Sequence, residues 1–561
     1  MPSRLKSKRR KAGRTITKAS LCIISFILII IGGWEARRFF PYPAFFARLG
    51  IENWQVWEFH DYFGVPHDTV TVIWNERRLT DLERQPVLVD GIIWFPHDFV
   101  RDYVDPFLFW DEGAQAMFVS TDYEVTRVDS ENIRFFPGDE VPWISLLFFY
   151  NSYHRAVWYN NNVIFTTPDG AGRGASVMVR NTPVRYRPDR TAFITQRAVR
   201  GSYLRTFNIE GDYIRVRTAG GLLGYVLLSD IEFTEPEPVI PLPPEPPQSP
   251  NISLTWEMIT APVGNATAMQ NPLPEGLTVI SPTWFNFDPY APDGTLISFA
   301  SREYVEWAHA QNVEVWAKVF DTNHDISGAI LSNYRAREHV IAQLLRFAEE
   351  YNLDGININF EHIRSAYGRY YVQFLRELAP EMRRISAVLS VATFVPAPWF
   401  AHYHHGLVGS TVDFVAIMTY DEHYGGSPEP GPVASLPFVR RSVSSALELI
   451  PRERILLGLP FYNRLWRVAP DGSHTSRLYG MARPWTLIEE QGVTPVWDPY
   501  IGSYYAHFNT NEATYRIWVE CERSIAEKLR VFAEYELAGV AGWRRGLETD
   551  GVWDEIRRVA H

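Results

Sequence analysis

The chain is nearly without cysteine: Cys22 and Cys521 are the only two among 561 residues. The first lies in an apolar N-terminal segment, so the body of the protein has one thiol. An internal disulfide is excluded there, as is a cysteine-pair metal site, and stability must come from a hydrophobic core. The histidines are scattered, His97 and His154 among them, and read as structural. No metal or organic cofactor is expected. A basic surplus is also missing beyond residue 18. Residues 1–18 carry eight Lys and Arg and no acid; setting those aside leaves 46 basic against 65 acidic residues, a net charge of −19. An acidic body argues against nucleic acid as a partner.

What is present is a long, aromatic-rich chain. At roughly 150 residues per domain its length allows three or four domains. An apolar content of 46% with 21% charged residues belongs to a folded protein, and 14% aromatics supply core packing, sugar-stacking platforms or both. Residues 19–34 are almost wholly apolar and follow the basic block. The run is short for a span of ~17–25 residues, so a cleaved signal peptide competes with a membrane anchor. No Ala-x-Ala site follows, and Trp34, Glu35, Arg37 and Arg38 suit an interfacial boundary. The expectation is a cytoplasmic tail at 1–18, an uncleaved signal-anchor at 19–36 and everything later outside, as a single-pass protein of a bacterial cell membrane.

Residues 70–170 alternate short strand-like runs with one amphipathic stretch. Val87–Val89 and Ile92–Pro96 flank an Asp90-Gly91 turn, and Leu108 to Val119 contains further short apolar runs. The segment resembles the small repeat at the N-terminus of copper amine oxidases, without implying copper. Residues 175–232 are similar to a bacterial SH3-like domain, on Thr182 to Pro188, Tyr213 to Arg217 and the closing Gly224-Tyr225-Val226. That resemblance implies a wall-binding module or a spacer. Residues 235–250 hold eight prolines in sixteen positions, which forbids helix and sheet and favours a stiff stalk.

From 252 to 561 apolar strand-like runs alternate with helical stretches, as in a parallel α/β barrel. Strands are expected near Ile252–Ile259, Leu277–Trp284, Val313–Phe320, Leu353–Glu361, Ala387–Phe394, Phe414–Tyr420, Ile455–Phe461 and Gly539–Trp543. The predicted architecture is thus a (β/α)8 TIM barrel behind small β-rich modules and a transmembrane helix. Such barrels react at the C-terminal strand ends, where Trp256, Trp284, Glu361, Tyr420, Asp421, Tyr462 and Trp543 cluster. Residues 465–512 read as an insertion between strands seven and eight, rich in Tyr and Trp.

The octapeptide Asp354-Gly355-Ile356-Asn357-Ile358-Asn359-Phe360-Glu361 carries the most chemistry. Its alternation puts Ile356, Ile358 and Phe360 on one face, while Asn357, Asn359 and Glu361 point the other way. Glu361 is placed to protonate a leaving oxygen, and its strand offers no second carboxylate as nucleophile.

This segment resembles the Asp-x-x-Asp-x-Asp-x-Glu signature of glycoside hydrolase family 18, with Asn357 and Asn359 where that pattern has Asp. Met418-Thr419-Tyr420-Asp421 resembles the family's Met-x-Tyr-Asp motif, and Trp543 matches its strand-eight Trp. Gly458 to Arg464 looks like its strand-seven element. The likeness is greatest to the spore-cortex and cell-wall glucosaminidase branch. It implies substrate-assisted retention: Glu361 as acid, Tyr420, Asp421 and Asn359 orienting a 2-acetamido group, and Trp543, Trp284, Trp256, Asn357 and Tyr462 contacting the sugar. Asp354 and Gly355 are structural parts of the motif. The expected partner is an N-acetylglucosamine-containing cell-wall glycan. Asn359 keeps hydrogen bonds but supplies no negative charge, so slowed hydrolysis is expected. A lectin-like pseudoenzyme and an inert envelope scaffold are the competing readings.

Overall fold

The structure, a computed structural model, describes residues 70–233, short stretches excepted, and residues 252–560 except 322. The basic tail, the apolar run 19–36 and the proline-rich segment 235–250 lie outside the described residues. Among the described residues no helix is long and apolar enough to cross a membrane. They form two compact units: 70–100 with 134–233, and 101–133 with 252–560.

In the first unit, strands Val87–Val89 and Ile92–Pro96 pair antiparallel around a two-residue turn. Asp90 and Gly91 both have positive φ, 54° and 78°, the conformation that an Asp-Gly hairpin turn requires. Residues 175–233 form a seven-stranded antiparallel sheet. Its core gathers Val184, Ala198, Leu204, Ile214, Val216, Val226 and Ile231.

The second unit is built on eight parallel strands: β1 Ile252–Glu257, β2 Val279–Pro282, β3 Glu314–Phe320, β4 Gly355–Asn359, β5 Val388–Thr393, β6 Phe414–Ile417, β7 Ile455–Pro460 and β8 Gly539–Trp543. Each pairs with its sequence neighbours, β1 pairs with β8 and β2 with β3, so the sheet closes. Each lies within an expected strand range, and most are trimmed by one to three residues at one or both ends.

The barrel sorts its apolar residues into two layers. Leu254, Trp256, Val279, Trp316, Ala416, Leu456 and Ala541 fill the interior. Ile356, Ile358 and Phe360 face outward into the larger core beneath the helices, the alternation expected of a strand. Helix Tyr334–Tyr351 shows why the shell forms. Asn333 caps it by accepting from the N–H groups of Arg335 and Ala336, and Ala336, Val340, Leu344, Phe347 and Ala348 line its buried face. Asn352, left-handed at φ 56°, ends it. Gly355 opens β4 where a Cβ would come within 2.8 Å of the Trp316 ring and the Val388 carbonyl. Only glycine lets the strand pack there.

Two additions complete the unit. Between β7 and β8 the chain builds a five-stranded antiparallel sheet from Tyr462–Val468 to Thr514–Val519, with helix Arg483–Glu490. This is the insertion expected at 465–512, begun three residues earlier. Residues 101–133, expected within a 70–170 module, group with the barrel. They carry a three-stranded sheet, Phe109–Asp111, Ala116–Ser120 and Val125–Arg127. A fully buried Arg337 joins it to the helices. Its guanidinium donates to Asp111 Oδ2 at 2.7 Å, to Glu377 Oε2 and Oε1 at 2.9 and 3.0 Å, and to the Leu331 carbonyl at 2.7 Å. A charge this buried is tolerable only when so fully paired.

Candidate active site

A pocket of about 220 Å³ opens at the C-terminal ends of the strands, lined by residues including Trp256, Lys318, Asn359, Glu361, Tyr420, Asp421 and Trp543. This is smaller than the ~300–1,000 Å³ of sites for drug-sized ligands, so it suits one ring or substituent rather than a whole oligomer.

Glu361 follows β4 by two residues, and its side chain stands exposed at the mouth. Its backbone is held from below: Asp321, just past β3, accepts from Glu361 N and His362 N, both at 2.8 Å, and from Ser327 Oγ at 2.8 Å. Asp321 is itself 4% exposed. A carboxylate so thoroughly hydrogen-bonded makes a rigid anchor for the loop. Sequence reading missed Asp321; an acid directly after β3, at the reacting end of the barrel, was the available signal.

Asn359 lines the pocket with its Nδ2 donating to the Ala392 carbonyl at 3.2 Å. Asn357 lies one layer lower and is fully buried. It accepts from Trp256 Nε1 at 3.0 Å and donates to Ser390 Oγ at 2.9 Å, so it supports Trp256 rather than lining the pocket.

Tyr420 and Asp421 follow β6 onto the wall. Burial raises the Tyr420 hydroxyl well above its ordinary range, and the carboxylates of Glu361 and Asp421 add to that rise. It remains a protonated donor at any physiological pH. Asp421 sits at φ 56° and accepts from the Tyr462 hydroxyl at 2.7 Å. Tyr462 is buried behind the wall and acts through Asp421. Trp256 and Trp543 meet at 5.7 Å between ring centroids and form the aromatic side of the pocket.

Trp284 is a correction. It is fully buried in the core between sheet and helices, its Nε1 donates to Asn265 Oδ1 at 2.8 Å, and its ring meets Tyr304 edge-on. β2 ends at Pro282, and the chain then turns into a hairpin, Phe285–Phe287 with Leu296–Ser298, that carries Trp284 away from the mouth. Asp354 lies at the opposite end of β4, where it accepts from Val315 N at 2.7 Å and bonds His309 at 2.7 Å. It secures the β3–β4 pairing, far from the chemistry.

Lys318 also escaped the sequence reading. Its residue pairs with Asn357 across β3 and β4, so it starts in the barrel interior, and its long side chain reaches the pocket. It is 6% exposed, and burial lowers its pKa to about 8, against the pull of Glu361 and Asp321. A Lys set between Val315-Trp316-Ala317 and Val319-Phe320 was the only signal. Among the described residues no group of three His, Cys, Asp or Glu side chains could hold a metal.

Residues 307–548 match the family described as Glycosyl hydrolases family 18. The chain carries a glycoside hydrolase family 18 domain. It is therefore a glycosidase domain, similar over part of its length to a cortical fragment-lytic enzyme and to chitinases. The uncharacterized glycosylase YvbX of Bacillus subtilis (strain 168) is 26% identical over 308 residues, covering 52% of this chain and 88% of that protein. The cortical fragment-lytic enzyme of the same bacterium is 24% identical over 237 residues, 41% of this chain and 55% of that enzyme. The solved C-terminal domain of a candidate chitinase from Desulfitobacterium hafniense DCB-2 shares the barrel fold, with a TM-score of 0.51 and 19% identity over 55% of this chain and 99% of that one.

Proposed function

We propose that this family 18 domain hydrolyses a glycan containing N-acetylglucosamine, peptidoglycan in the first place, by substrate-assisted retention. The observation that carries the proposal is the joint placement of Glu361, Asn359, Tyr420 and Asp421 on one small pocket, with no carboxylate besides Glu361 at the mouth end of β4. Glu361 protonates the glycosidic oxygen as the sugar's own acetamide oxygen attacks C1 and the aglycone leaves. Tyr420, a donor, and Asn359 orient the acetamide, and Asp421 faces the positive charge that develops on it. Water, deprotonated by the Glu361 carboxylate, then opens the oxazolinium with overall retention. A cortical fragment-lytic relative supports a wall glycan as the substrate class.

Residues 19–36 anchor the protein in the membrane in this reading, with the later domains outside and the 235–250 stalk holding the barrel off the surface. The antiparallel unit at 175–233 serves as an SH3-like wall-binding or spacing module, and the hairpin-containing segment before it as the amine-oxidase-like repeat.

A second reading, a glycan binder with little turnover, is favoured by two features of the same pocket: the neutral amide at 359 and the ammonium of Lys318. The amide withholds a stabilising charge from a cationic intermediate, and the ammonium repels it. Incubating the full chain with chitooligosaccharides and peptidoglycan fragments decides between them, alongside Glu361→Gln and Asn359→Asp. Turnover that disappears in Glu361→Gln supports the hydrolase. Binding without turnover in the natural protein, with turnover gained in Asn359→Asp, supports the binder.

A further inference from the structure

Lys318 is the cation lining the pocket, and although Glu361 and Asp421 line it too, neither carboxylate bonds its ammonium. Its Nζ lies 4.5 Å from the Trp543 ring centroid and 6.0 Å from that of Phe320. Ring faces attract a cation, but they accept none of its three N–H bonds in the ordinary way. No ion pair or hydrogen bond to Nζ occurs among the described residues, although the side chain is 6% exposed. Its register partner is Asn357, and Asn359 lies one layer above, so the two nearest polar positions on β4 are uncharged. The carboxylates of Glu361 and Asp321 act on it at longer range.

The consequence appears when a ligand seals the pocket. A neutral sugar displaces water from the ammonium and returns only hydroxyl oxygens, leaving a charge in a low-dielectric space. A ligand that brings a carboxylate returns both acceptors and the counter-charge, in a charge-assisted bond stronger than a neutral one. We infer that Lys318 is a specificity-determining residue that selects a saccharide bearing a carboxylate, which it binds inside the pocket. This rests on the glycan reading above and narrows it. Two chemistries share that group: the lactyl ether of N-acetylmuramic acid and a hexuronic acid.

Binding to the full chain, followed by stopped-flow tryptophan fluorescence before turnover, tests the inference. The probes are an oligomer alternating N-acetylglucosamine and N-acetylmuramic acid, an oligomer alternating N-acetylglucosamine and glucuronic acid, and the methyl ester of each. The ester keeps the shape and removes the charge. The expected result is at least tenfold tighter binding of one free acid than of its ester, which also names the source. That ratio should fall close to one in Lys318→Met and persist in Lys318→Arg. Equal affinity of acid and ester in the natural protein, for both sources, overturns the inference and leaves the glycan reading standing. A ratio unchanged in Lys318→Met also overturns it. Failure of every oligomer to bind, neutral chitotetraose included, overturns the glycan reading as well.

Discussion

Asp321 Oδ1 accepts the backbone N–H of Glu361 at 2.8 Å, tying the end of β3 to the residue proposed as the acid. Both oxygens of the anchor are engaged, since Oδ2 takes the next N–H and the Ser327 hydroxyl. Replacing Asp321 with Ala should therefore strand two part-buried N–H groups. The expected cost is about 1–3 kcal/mol of stability, less than two full penalties of ~1–3 kcal/mol because solvent reaches both groups in part. Urea unfolding measures it. Asp321→Asn, which keeps acceptor geometry on one oxygen, should recover part of the loss and part of kcat, with KM nearly unmoved.

The tyrosine next to the acid makes a cleaner case. Tyr420→Phe removes one hydroxyl and little volume. If that hydroxyl orients the acetamide, kcat should fall about 10²-fold with KM little changed, the usual size for one preorganised donor lost. Steady-state kinetics on a chitooligosaccharide would show it.

Asn359→Asp should raise kcat by about tenfold, equivalent to ~1.4 kcal/mol of transition-state stabilisation from a carboxylate facing a developing cation. Part of the gain should be absorbed by pairing with Lys318, which the same pocket holds. Asn359→Asp combined with Lys318→Met should therefore exceed Asn359→Asp alone. Turnover numbers of the three proteins check the order.

Lys318 also predicts a pH dependence of stability. Its pKa falls from an ordinary 10.5 to about 8 on folding, because burial disfavours the charge. Below pH 8 both states are protonated and the folded protein bears the full penalty. Between pH 8 and 10.5 the unfolded chain binds more protons than the folded one, so this site's contribution rises with pH. At ~1.36 kcal/mol per unit, the lowering corresponds to about 3 kcal/mol. Lys318→Met should thus be more stable than the natural protein at pH 7, with the advantage shrinking toward pH 10. Tm measured across that range tests it.

Much of the barrel was legible because its strands are buried on both faces and read as continuous apolar runs. Ile455–Pro460 is buried at every position, and β1 to β8 all fall where such runs occur. Glu361, the Tyr420–Asp421 pair and Trp543 were legible as mouth residues because short sequence motifs place them at the ends of β4, β6 and β8. What stayed hidden depends on contacts distant in sequence. Arg337 meets Asp111 across 226 positions, and nothing local to either residue foretells that pairing. Trp284 failed for the opposite reason: it sits where a mouth residue belongs, but a hairpin after β2 turns it into the core. Lys318 looked like one charged residue in a strand, and only closure of the barrel reveals that its ammonium ends beside Trp543.

The most direct test of the account is turnover of peptidoglycan fragments and chitooligosaccharides by the full chain and by Glu361→Gln, followed by reducing-end release and by the anomeric form of the first product. The account predicts release by the natural protein with retained configuration, and a loss of at least 10²-fold in Glu361→Gln with binding preserved. Release undiminished in Glu361→Gln, or a product of inverted configuration, would contradict it.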